Sequence, residues 1–127
     1  MKTILVVDDS SVARKIVIRC LKIAGHSDCE FPEAGHGQEA LDILKEQEVD
    51  LVMTDLNMPI MDGVTLVRKL KASPRLQHIP IVVVSSLLND AAREQLRERG
   101  VDLLLEKPLS PAALSAVLGE IEGGIPE

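Results

Sequence analysis

Apolar residues gather in five short runs along the chain, at positions 4–7, 29–34, 51–54, 81–84 and 103–105. Three of the runs are continuously apolar and rich in Val, Ile and Leu, as expected of parallel strands covered on both faces. The second run is poor and contains Pro32. A proline cannot donate to a strand ladder, so that run belongs on an edge. Between the runs the spacing turns helical. Val12, Ile16, Val17, Cys20 and Ile23 share one face, and the pattern stops at Gly25. Ala40, Leu41, Ile43 and Leu44 form a second stripe. Asp62 is placed to cap a third helix carrying Val64, Val67 and Leu70, which ends before Pro74. Asn89 caps a fourth, whose apolar face is thin, with Ala92 and Leu96 among charged neighbours. Ser110-Pro111 opens a fifth, with Leu114, Val117, Leu118 and Ile121 inward and Gly123-Gly124 as its stop.

The chain therefore reads as a βα unit repeated five times. Right-handed crossovers and burial on both faces make a doubly wound, open parallel α/β sheet the natural solution. In such sheets ligands bind outside the carboxyl ends of the strands, where the strand order reverses. That rule says where to look for chemistry.

Composition narrows the function classes. A length of 127 residues suits one core, and 46% hydrophobic residues exclude wholesale disorder. No stretch approaches the ~18 apolar residues of a membrane span. Acidic residues by position 8 are wrong for a signal peptide, so a cytoplasmic protein is expected. A net charge of −6 disfavours direct contact with nucleic-acid phosphates. One Phe, no Tyr and no Trp disfavour base stacking. Cys20 and Cys29 fit neither a disulfide framework nor a metal knuckle and read as idle thiols, a lone disulfide being the alternative. His26, His36 and His78 lack metal-ligand spacing and read as surface residues. The stretch from Gly35 to Ala40 fits a loose dinucleotide fingerprint, G-x-G-x-x-A. It follows the weakest run rather than a central strand, which argues against a nucleotide cofactor.

Asp8 and Asp9 follow the first run, Asp55 the third, Ser85 the fourth and Lys107 the fifth. A lone Asp after a strand is usually a turn former or a helix cap. Here, however, groups of matching chemistry stand at four strand ends. Two unit charges 4 Å apart interact by roughly 4 kcal/mol at an effective dielectric of ~20. Lys107 offsets one of three carboxylates, and a small divalent cation offsets the rest. An all-oxygen, half-open site suits Mg²⁺ better than zinc. One carboxylate can then take a phosphoryl group, because phosphoryl transfer mainly needs positioning and charge neutralisation.

These residues carry a resemblance. Ile4-Leu5-Val6-Val7-Asp8-Asp9-Ser10, Asp55-Leu56-Asn57-Met58-Pro59-Ile60-Met61-Asp62-Gly63, Val82-Val83-Val84-Ser85-Ser86 and Lys107-Pro108 stand in order. In this the chain resembles the receiver domain of two-component response regulators, of the free-standing CheY-like type. The resemblance implies a flavodoxin-like sheet of strand order 2-1-3-4-5, with a receiver domain over 1–122 and a tail or linker start over 123–127. It implies Asp55 as phosphoacceptor, with Mg²⁺ held by Asp9 directly, Asp8 mostly through water, Asp55, and the backbone carbonyl of Asn57. Ser85 takes the switch position, Lys107 binds the phosphate, and the Lys107-Pro108 bond is cis.

The implied partners are a sensor histidine kinase or phosphotransfer protein and a downstream effector protein, with no nucleic acid and no membrane. The chain would be a monomer or weak dimer. It would catalyse only its own phosphorylation and dephosphorylation, and its output would be a changed surface on the fourth helix, fifth strand and fifth helix. Two departures concern that output. Leu104 stands where the family often has Tyr or Phe, so a rotating aromatic is not the readout, and Leu109 stands where Phe is common. Repacking of Leu104 or of the fourth helix, in response to Ser85, is expected instead. Rival readings are a pseudo-receiver that never takes phosphate, a Mg²⁺-dependent phosphohydrolase, and a receiver cut from a larger regulator.

The resemblance also places Asn57 and Leu87 at positions that influence the hydrolytic water, which Leu87 cannot hydrogen-bond. A Leu87→Glu variant is expected to lose phosphate faster than the unmodified chain. Phosphoprotein decay followed by mass spectrometry checks this, and equal lifetimes would refute it.

Overall fold

The computed structural model describes residues 2–86 and 88–124; for Val117 and residues 120–124 the backbone alone is described. Leu87, and the inward placement of Val117 and Ile121, therefore lie outside the described side chains. The elements are β1 (Ile4–Val7), α1 (Ser11–Leu21), β2 (Glu33–Ala34), α2 (Gly37–Glu46), β3 (Leu51–Thr54), α3 (Gly63–Ala72), β4 (Ile81–Ser85), α4 (Asp90–Glu98), β5 (Leu103–Glu106) and α5 (Pro111–Gly124). The strands form one parallel sheet in the order β2-β1-β3-β4-β5. Both the doubly wound architecture and the order 2-1-3-4-5 are thus as expected.

Alternate strand residues enter opposite core layers, which is why the strands are apolar throughout. Leu5, Val7, Val52 and Val83 join Leu44 of α2, Leu66, Val67 and Leu70 of α3, and Leu96 of α4. Ile4, Val6, Leu51, Met53, Val82 and Val84 join Val17, Cys20 and Leu21 of α1 and Leu114 and Leu118 of α5. Each fully buried aliphatic side chain is worth about 1.5–3 kcal/mol relative to exposure.

The first helix departs from the expected stripe. Val17, Cys20 and Leu21 face the sheet, whereas Val12, Ile16 and Ile23 are 66%, 51% and 65% exposed. The sequence carries apolar residues on two sides of α1, and periodicity alone does not say which side packs. Regular helix ends at Leu21, and a wide turn over Lys22–His26 carries the chain to Gly25 at φ 109°. Glycine is favoured there because a Cβ is strained at positive φ.

The second strand is shorter than its apolar run. Only Glu33–Ala34 is regular, although Glu30 and Pro32 accept hydrogen bonds from Ile4 and Val6. Pro32 lies on the edge segment, as expected. Asp62, Asn89 and Ser110 cap α3, α4 and α5 as expected, accepting from Thr65, Ala92 and Ala113. His36, read as a plain surface residue, is half-buried and caps α2 by accepting the Glu39 N–H at Nδ1. Helix α5 runs through Gly123-Gly124, the pair expected to stop it. No helix among the described residues is long and apolar enough to cross a membrane.

Two aspartates at the amino edge of the sheet hold neighbouring strands level. Asp50, just before β3, accepts the backbone N–H groups of Lys2 and Thr3 at 2.9 Å each, and its own N–H donates to the Thr3 carbonyl. Asp102, just before β5, accepts the Ile81 N–H at 2.8 Å and donates back to the Ile81 carbonyl. Partial burial works to raise the Asp50 pKa. The Lys2 and Thr3 N–H donors and the nearby positive charges outweigh it and hold the carboxyl below its ordinary value.

A carboxyl with a depressed folded pKa stabilises above its unfolded value and loses that contribution as pH falls through the folded one. Asp50→Ala is expected to cost about 1 kcal/mol at neutral pH, allowing for solvent screening. The difference from the unmodified chain should close as pH drops below the ordinary carboxylate range. Urea melts across pH check this; a gap that persists in acid would contradict it.

Candidate functional site

Strand register builds the site. Val7 pairs with Thr54, so Asp8 and Asp55 leave the sheet side by side at its carboxyl edge. The Asp55 N–H donates to the Val7 carbonyl and ties the two exits together. Ser85 pairs with Glu106, so Lys107 leaves β5 one step past Ser85, and its N–H donates to the Ser85 carbonyl. The Lys107-Pro108 peptide bond is cis.

Asp8 is buried and fully engaged. Its N–H donates to Ala34, Oδ1 accepts the Ser10 N–H at 3.0 Å, and Oδ2 accepts Lys107 Nζ at 2.9 Å. Asp55 is partly buried, with Oδ1 accepting the Leu56 N–H at 2.7 Å and Oδ2 lying 3.4 Å from Lys107 Nζ. Asp9 is exposed, and its carboxylate takes no hydrogen bond or ion pair from the described residues. One oxygen from each of Asp8, Asp9 and Asp55 lies within 4.8 Å of the others. An all-oxygen set of this spacing, with one carboxylate uncommitted, fits a hard divalent cation.

Partial burial works against the charge on Lys107. The Asp8 hydrogen bond and the Asp55 and Asp8 carboxylates overcome it and hold the ammonium above its ordinary pKa. It is therefore a permanent cation at neutral pH. Ser85 is buried at the end of β4. Asn57 is exposed, two residues past Asp55 in the β3–α3 loop. Leu104 packs against the core layer beneath α2, α3 and α4. The structure thus brings Asp8, Asp9, Asp55 and Lys107 into one cluster and sets Ser85 and Asn57 at the same edge.

Two further residues shape the cluster: Arg14, which sequence pattern did not single out, and Gly63, which closes the Asp55–Gly63 motif. Arg14 Nη1 donates to the Asp8 backbone carbonyl at 2.6 Å, and its Nε to Glu33 at 3.0 Å. As one charge on a helix rich in them, it carries no visible signal. Gly63 donates its N–H to the Leu56 carbonyl, and a Cβ there would stand 2.2 Å from the Asp55 carbonyl oxygen. Within that loop Ile60 adopts φ 67° in a tight turn closed by Met61 N–H to the Pro59 carbonyl. A β-branched residue is strained in that region.

The family model of the response regulator receiver domain matches residues 4–119. A chemotaxis protein CheY homolog of Campylobacter jejuni is 38% identical over 121 residues, covering 94% of this chain and 92% of that protein. Among solved structures, the signal receiver domain of a signal transduction histidine kinase from Syntrophus aciditrophicus superposes with a TM-score of 0.84 at 28% identity. The match covers 98% of this chain and 92% of that one. The receiver domain of a sensor histidine kinase from Pseudomonas aeruginosa has a TM-score of 0.83 at 24% identity, over 96% of this chain and 98% of that one. That structure holds a magnesium ion in its active-site cleft, and its likeness to this chain is one of fold.

The contact at Gly63 makes a direct prediction. Gly63→Ala forces the Asp55 carbonyl and α3 apart and is expected to destabilise the chain by about 1–3 kcal/mol. A thermal melt checks it, and an unchanged midpoint would show that the loop yields freely.

Proposed function

The chain belongs to the response regulator receiver domain family, and from that premise we propose that it takes a phosphoryl group onto Asp55 and so switches a protein-binding surface. The observation that carries this reading is the cluster itself: three carboxylates with an oxygen each within 4.8 Å of the others, two of them, Asp8 and Asp55, bridged by Lys107 at the carboxyl edge of the sheet.

Asp9, with its uncommitted carboxylate, would hold the cation directly. Asp8, already engaged at both oxygens, would act mostly through water. Asp55 and the backbone carbonyl of Asn57 would complete the set. Mg²⁺, when bound, supplies charge neutralisation for the transferring phosphoryl oxygens. An Asp55 carboxylate oxygen attacks phosphorus, the bond from phosphorus to the donor's imidazole nitrogen breaks, and the imidazole leaves with the electron pair. Lys107 moves its ion pairing to the new phosphoryl oxygens, and Ser85 donates a hydrogen bond to them. A sensor histidine kinase or phosphotransfer protein is the donor class, and an effector protein is the receiver of the signal.

The output surface comprises α4, β5 and α5. Only Leu96 of α4 is buried, and Arg93 pairs with Glu106 of β5. Leu104 enters the same core layer as Leu96, so a shift at Ser85 can be felt by α4 through aliphatic packing. No aromatic ring takes part.

Incubation with acetyl phosphate and Mg²⁺ is expected to add the mass of one phosphoryl group to the intact chain and none to Asp55→Asn. Omission of the metal should suppress the adduct. A folded chain that takes no phosphoryl group under these conditions would overturn the proposal in favour of a phosphorylation-independent interaction module.

A further inference from the structure

Among the described residues, Lys107 is one of two cations tied to the acidic cluster. Arg14 reaches the cluster from behind. Its Nη1 donates to the Asp8 backbone carbonyl at 2.6 Å and its Nε to Glu33 Oε1 at 3.0 Å, with side-chain exposures of 18% and 33% for the ion pair. The carbonyl in question belongs to the peptide that joins Asp8 to Asp9. Asp8 is thereby held at its N–H, its carbonyl and both carboxylate oxygens, by Ala34, Arg14, Ser10 and Lys107. Asp9 has no such support, since its side chain is exposed and takes no hydrogen bond from the described residues. Its aim is set by the backbone that carries it.

We propose that Arg14 is a positioning residue for the divalent cation. Anchored on Glu33 of the edge strand, it fixes the Asp8-Asp9 peptide so that the Asp9 carboxylate is presented to the metal. This rests on the reading of the carboxylate cluster as a Mg²⁺ site. A charge-assisted bond from a planar fork to a single carbonyl sets both distance and direction, which an ammonium does less well. Residues that orient metal ligands in this way typically change affinity by about 10–100-fold when removed.

The sign of the effect separates positioning from simple charge. Arg14 is a cation beside a cation site, so deleting it for electrostatic reasons alone would tighten Mg²⁺ binding. Loss of a positioning contact would weaken it. The double variant Arg14→Ala/Glu33→Ala removes one charge of each sign, so to first order a pure charge effect predicts no change.

Calorimetric titration with Mg²⁺, alongside thermal melts without metal, makes the test. Arg14→Ala is expected to bind Mg²⁺ about tenfold more weakly, and the double variant to match it. Arg14→Lys, which keeps the charge and loses the fork, is expected to fall between Arg14→Ala and the unmodified chain. It carries the test if the alanine variants fail to fold. Unchanged or tighter binding in Arg14→Ala, or a double variant that binds like the unmodified chain, overturns the proposal. If Arg14→Lys alone is measurable, affinity equal to that of the unmodified chain does the same. An unmodified chain that binds no Mg²⁺ overturns the cluster's reading as a metal site, and the role of Arg14 with it.

Discussion

The level ending of β1 and β3 is the constraint on which the site depends. Parallel pairing of Ile4 through Val7 with Leu51 through Thr54 brings Asp8 and Asp55 out side by side. A slip of one residue would move one carboxylate along the edge and turn every buried side chain of that strand to the opposite layer. Both layers are filled by residues from different helices, so register is specified by the packing of the whole molecule. The Asp50 and Asp102 clamps at the far edge act in the same direction, since each spans two adjacent strands. The amino edge fixes alignment, and the carboxyl edge collects its consequence.

That consequence is electrostatically unfavourable unless offset. Carboxylate oxygens within 4.8 Å repel by about 3 kcal/mol per charged pair at an effective dielectric of ~20. Lys107 relieves part of this by bonding Asp8 at 2.9 Å and approaching Asp55 at 3.4 Å. Asp8 is the more tightly held partner, while Asp55 keeps the longer contact. An ammonium bound this way can follow new negative charge appearing on Asp55 with little movement. The remaining negative charge is what makes a divalent cation welcome. On the proposed reading, affinity for the metal and readiness to accept a phosphoryl group would have one electrostatic origin.

The sheet, its order and the strand-end residues were legible because each rests on local pattern or on a motif spread over four strand ends. Asp8, Asp9, Asp55 and Lys107 meet as expected because the architecture leaves those positions few other places to go. The α1 face was not legible: Val12, Ile16 and Ile23 satisfy the helical period as well as Leu21 does, yet they lie outward. Periodicity reports that a stripe exists, and tertiary packing chooses the side. His36 escaped notice as a cap because its ring nitrogen substitutes for the usual oxygen acceptor. Arg14 escaped for another reason. Its importance lies in a contact with a backbone carbonyl, and that contact leaves no mark on residue type.

The proposed signal transmission, without an aromatic, would run through the same packing. Leu104 occupies the layer entered by Leu96, the buried residue of α4. Apart from Ala91 and Ala92 the rest of α4 is polar, and Arg93 pairs with Glu106 of β5. A helix with one buried anchor and one exposed ion pair loses little when it shifts, because surface pairs contribute on the order of 0–1 kcal/mol. A Tyr or Phe at 104 would have to rotate a large ring between two environments. A leucine has no ring to rotate, and the buried Leu96 is the contact through which α4 would resist a shift. On the proposed reading, the response at this surface depends on how firmly Leu96 is held.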